Sequence, residues 1–156
     1  MPFAMDVLSN LAFAAWGIAG IMCLSGWLKR NRPNMEHGLA GLFFAGLVLT
    51  TLASSRYHLQ PDNAGLGIDR FGMVVAFAGL LGLAVAGCIS HKAGAAIAAA
   101  VLLLGPRSIW FWLMSENVLP WLVIQFGGVA VWRSFCVWPL ASRCMLRRRC
   151  AGVWCL

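Results

Sequence analysis

The run LSNLAFAAWGIAGIMCLSGWL, residues 8–28, decides the fold. It carries no charge from Leu8 to Leu28, and Lys29 stops it. A helix needs about 20 mainly apolar residues to cross the hydrocarbon core of a bilayer, and this run supplies them. An acid, Asp6, precedes it where a signal peptide would place Lys or Arg, so it reads as a retained span.

Similar runs follow. Gly38 to Tyr57 holds one charge, Arg56, at its end, and Phe71 to Ile89 holds none. Ala93 to Leu104 is shorter and stops before Gly105-Pro106. Val118 to Trp132 contains Pro120 and Gln125. Proline ends or kinks a helix at the preceding residue. The fourth run therefore reads as a separate short span. The competing possibility is one helix from Ala93 to Leu113, kinked at Pro106 with Arg107 inside it. The expectation is an all-α polytopic transmembrane bundle of about five helices.

Composition agrees. Hydrophobic residues make up 61% of the 156-residue chain and charged ones 11%, against about 25% charged in soluble domains. The net charge of +7 does not point to nucleic acid. The basic residues cluster between apolar runs, at Lys29-Arg30-Asn31-Arg32 and Arg147 to Arg149, and no soluble surface is left to carry a basic stripe. Such clusters mark cytoplasmic loops. With five spans, one side collects Lys29, Arg30, Arg32, Lys92, Arg133, Arg143 and Arg147 to Arg149, and the other Arg56, Arg70 and Arg107. This places the N-terminus outside. The Ala, Gly, Arg and Trp bias suggests a bacterial inner membrane.

Trp27, Tyr57, Trp110, Trp112 and Trp121 fall near span ends, as an interfacial belt requires. Ala78 and Gly82 form a small-x-x-x-small pair for close helix packing. Thr50 and Thr51 can bond back to their own helix. His37 and His91 read as loop residues.

Polar groups in a membrane are costly and are candidates for function. The stretch SSRYHLQPDNAGLGIDR, residues 54–70, concentrates them. Ser54 and His58 are four apart and share a helix face. Pro61-Asp62-Asn63 makes a turn. Asp69 then returns at the top of the third span, beside His58. Plain structural roles are open to each: His58 at the interface, Asp69 as a helix N-cap, Ser54 in packing. A Ser, a His and an Asp also suggest a hydrolytic triad.

Ser54-x-x-x-His58 with Asp69 resembles the alkaline ceramidase and adiponectin-receptor-like superfamily, CREST. Asp6-Val7-Leu8-Ser9-Asn10-Leu11 is similar to the opening of the first span in its ceramidases. Tyr57-His58-Leu59-x-Pro61-Asp62-Asn63, Asp69-Arg70, Pro120-Trp121 and Gln125-Phe126 are similar to a bacterial branch. The resemblance implies a seven-helix bundle with a zinc ion near one membrane face. It makes His58 a zinc ligand, Asp69 the acid that contacts the zinc-bound water and Ser54 the neighbouring hydroxyl. It implies hydrolysis of a ceramide-like lipid amide by zinc-activated water.

The family also uses a His-x-x-x-His on its last helix. This chain has three histidines, His37, His58 and His91, and no such pair. It reads as five helices of an expected seven. Residues 1–132 form the transmembrane domain, and 133–156 a basic, Cys-rich tail. That tail holds Cys136, Cys144, Cys150 and Cys155 in no zinc spacing. Its abrupt composition suggests an out-of-frame translation that replaces the last two helices; the alternative is a genuine basic cytoplasmic tail. Two functions are therefore expected: a zinc-dependent lipid amide hydrolase lacking its C-terminal ligands, or a non-enzymatic, receptor-like membrane protein that keeps the fold.

Overall fold

The computed structural model describes residues 4–30 and 32–134. It is all-α, with no strand among the described residues. The tail from residue 135 onward, with its four cysteines, lies outside the described residues.

Among the described residues five helices run in order: α1 (Ala4–Leu28), α2 (Met35–Leu59), α3 (Asn63–Cys88), α4 (His91–Ser115) and α5 (Leu119–Trp132). The first four are long and apolar enough to cross a membrane. The fifth has 14 residues, about 21 Å at the helical rise. Short connections turn each helix back on the one before. The bundle folds up and down around α3, which touches α2, α4 and α5, while α1 packs on α2.

Local chemistry sets the helix ends. Asn34 caps α2, its side chain accepting from the His37 amide at 3.0 Å while the Asn34 amide donates to His37 Nδ1 at 3.3 Å. That reciprocal box places His37 inside the first turn rather than in a loop. His37 also stacks on Trp27, with ring centroids 3.8 Å apart. His91 likewise belongs to a helix, opening α4 directly after its cap, Ser90, which accepts from the Ala93 amide at 3.2 Å. Asp62 caps α3 by accepting from the Gly65 amide. The third helix thus starts at Asn63, not near Phe71, and the capping role proposed for Asp69 belongs to Asp62.

Gly105-Pro106 does not divide the fourth run. One helix continues through it, as in the competing possibility above. The buried residues of α4 explain why. Gly94, Ala98, Val101, Gly105 and Ser108 follow one another at steps of four and three, a single stripe along one helix face. That stripe lies against α3 on both sides of the proline. A Cβ at Gly105 would press into Val74, so the close approach is centred beside the proline. The Ser108 hydroxyl donates to the Gly105 carbonyl at 2.7 Å and is itself satisfied. Packing along the whole stripe outweighs the one backbone hydrogen bond that proline removes.

Small residues govern the centre of the bundle. A side chain at Gly46 would strike the Ala76 backbone, and one at Gly79 the Phe43 backbone. At Gly72 a Cβ would lie 2.8 Å from the Thr50 amide nitrogen. These positions bring α2 and α3 into backbone contact. Ala78 and Gly82 are buried, as the small-x-x-x-small pair requires. Val74, Ala78, Leu81, Val101, Ile109 and Trp121 form the main apolar core. Trp121 is only 4% exposed, so it belongs to this core and not to an interfacial belt. Trp27 and Trp110 are exposed, and Tyr57 and Trp112 half-buried.

Candidate functional site

Polar side chains gather at the end of the bundle where α1 begins, α2 ends and α3 begins. Asn10 is buried on α1. Its Nδ2 donates to Ser54 Oγ on α2 at 2.9 Å. One turn earlier, Thr51 Oγ1 lies 3.0 Å from the Leu47 carbonyl and 3.2 Å from the Asn10 carbonyl, sharing one hydroxyl proton between them. Thr50 bonds back to Gly46 at 2.8 Å. The back-bonding expected of both threonines is present, and Thr51 adds a bond to α1.

Ser54 is buried and reaches the third helix as well. Its side chain hydrogen-bonds with Asp69, which in turn interacts electrostatically with His58 and Arg70. Asn10 donates to the Ser54 oxygen, which leaves the hydroxyl proton for the carboxylate. A chain of polar contacts therefore runs from α1 through α2 to α3.

Asp69 sits two turns inside α3 and is 6% exposed. Neither it nor the half-buried His58 is turned wholly outward. Ser54, His58 and Asp69, the three residues singled out from the sequence, are thus brought together. Their order differs from a serine hydrolase triad. There the imidazole takes the hydroxyl proton; here the Ser54 hydroxyl is engaged by Asn10 and Asp69.

One atom of this group stands out. Asp69 Oδ1 is fully buried and has no hydrogen-bond partner among the described residues. A buried acceptor left unpaired costs about 1–3 kcal/mol, more if charged. The Nε of Arg70 is also buried with no partner among the described residues. The Arg70 guanidinium lies 5.2 Å from the Trp112 ring centroid and 5.5 Å from that of Trp121. Two indoles, from α4 and α5, thus hold the cation that neighbours Asp69. This explains how a charged pair can lie within an apolar helix.

Sequence reasoning missed the roles of Asn10, Arg70, Trp112 and Trp121 here. A signal existed for Asn10, an amide in a membrane span, which demands a partner. Nothing in the spacing links Arg70 to indoles 42 and 51 residues later.

The implied zinc ion needs more donors than these. Three imidazoles would leave one open position for water. His37 and His91 open α2 and α4 and so lie at the opposite end of the bundle from His58, which is in the last turn of α2. No three His, Cys, Asp or Glu gather into a metal-binding group among the described residues. His58 and Asp69 alone do not fit the family's zinc centre. No protein-family model, curated protein or solved structure matches this chain.

Proposed function

We propose that this chain is a ceramidase-like protein of the bacterial inner membrane, with its N-terminus outside, that recognises a lipid amide at Asp69. The observation that carries this is the unpaired, buried Oδ1 of Asp69 beside Ser54 and His58. An ionised carboxylate only accepts hydrogen bonds. A lipid amide N–H or a headgroup hydroxyl supplies the missing donor. In a region of low dielectric that bond is stronger than in water. Ser54 and Asn10 hold the carboxylate in place through the polar chain across α1, α2 and α3. The basic residues of the α1–α2 connection, Lys29, Arg30 and Arg32, support the orientation by facing the other side.

Recognition is the step these residues support. Among the described residues the donors beside His58 do not complete a zinc site. Two functions remain, a zinc-dependent hydrolase and a non-enzymatic, receptor-like protein. Metal analysis of the purified full chain, with release of fatty acid from ceramide, separates the two. Binding of a photoreactive ceramide analogue without bound zinc or turnover is the expected result. One tightly held zinc that disappears in His58→Ala, together with turnover, would favour the hydrolase. No binding of the lipid amide by the folded wild-type chain would sink the recognition proposal.

A further inference from the structure

Arg70 Nε and Asp69 Oδ1 are both fully buried with no hydrogen-bond partner among the described residues. The first is a donor and the second an acceptor. They belong to consecutive residues of α3, yet neither bonds the other. We propose that Arg70 Nε–H donates to the carbonyl oxygen of the lipid amide whose N–H meets Asp69, so that the site reads both halves of one amide. The inference rests on the reading of Asp69 given above and adds a second residue that decides which lipid is held.

The buried donor is the first reason. An N–H of a charged group is costly to bury without an acceptor, and an orphan of this kind marks a place where something else binds. The side chain as a whole is half-buried. Its guanidinium lies 5.2 Å from the Trp112 ring centroid and 5.5 Å from that of Trp121, which fixes where the donor sits. The indole rings attract the cation, but they supply no oxygen to Nε–H.

Placement is the second reason. Successive residues of an α-helix point about 100° apart. Asp69 turns to Ser54 on α2, and Arg70 to Trp112 on α4 and Trp121 on α5. Acceptor and donor therefore diverge. The N–H and C=O of a trans amide also point away from each other, so one amide lying across α3 meets both. Other lipid linkages match less well. An ester offers the carbonyl and no N–H, and an ether offers neither. A phosphate or carboxylate suits the guanidinium but is repelled by Asp69. A water molecule can serve both atoms, and it would leave the site indifferent to the carbonyl.

The test uses the full chain in nanodiscs and three lipids with identical chains, joined by an amide, an ester or an ether. Each competes with a photoreactive ceramide analogue. The wild type should prefer amide to ester about tenfold, and ester to ether about tenfold again, each step being the scale of one hydrogen bond to a charged group. Arg70→Lys keeps a cation beside Asp69 and the indoles but has no Nε–H. It should lose the preference for ester over ether and keep that for amide over ester, a split that general loss of fold cannot produce. Equal binding of ester and ether by the wild type, or an ester preference that survives in Arg70→Lys, would overturn the role of Arg70 and leave the Asp69 reading standing. No competition by the amide lipid would sink both.

Discussion

The centre of the bundle and its polar end hold helices together by different means. At the centre, Gly46, Gly72 and Gly79 let α2 and α3 meet backbone to backbone. At the polar end, Asn10, Ser54 and Asp69 join α1, α2 and α3 through hydrogen bonds. Lipid offers no hydrophobic drive between helices, so both devices are needed in place of one. The centre is complete in itself: its closest contacts leave no room. The polar end retains an oxygen and a nitrogen with no partner among the described residues. A packed seam with nothing left over stabilises, whereas a polar group with capacity left over is poised to take a ligand.

Substitutions separate the two regions. The largest effect is expected at the centre. Gly46→Leu or Gly79→Leu forces a side chain into a facing backbone and should lower stability by about 3 kcal/mol or more. Thermal unfolding in detergent reads this. Gly26→Leu is the matched control, because nothing lies within 4 Å of a Cβ there; if it destabilises as much, close packing is not what the glycines provide.

A smaller loss is expected for Asn10→Ala, which removes the donor to Ser54 from α1. Hydrogen bonds between membrane helices contribute about 0.6 kcal/mol on average and up to about 1.7. A double-mutant cycle with Ser54→Ala should recover a coupling in that range. Zero coupling would remove the polar chain from the description of how α1 is held. The smallest effect is expected at the opposite end. His91 Nδ1 lies 3.4 Å from Glu36 Oε1, and both side chains are exposed. Glu36→Gln should change stability by less than about 0.5 kcal/mol.

Much of the architecture was legible because membranes impose a length rule. Long apolar runs marked α1, α2 and α3 within a few residues, apart from the early start of α3. That start was hidden because Asp69 and Arg70 looked like the edge of a span. Tertiary contacts with Ser54, His58 and two indoles admit both charges to the helix interior. The unbroken α4 was hidden for a related reason. Proline is a local signal, whereas the buried stripe from Gly94 to Ser108 is cooperative along the helix. Within the site, the grouping of Ser54, His58 and Asp69 could be read from helical spacing and one turn. The hydrogen-bond order could not, since Asn10 reaches Ser54 from another helix.

The most direct test compares wild type with Asp69→Asn in a ceramide-analogue thermal shift assay. Asparagine keeps the size of the side chain and can still meet Ser54, so the apo protein should unfold at the same temperature or slightly higher. The analogue should raise the unfolding temperature of the wild type and leave that of Asp69→Asn unmoved. An equal shift in both proteins, or none in the wild type, would contradict lipid recognition at Asp69.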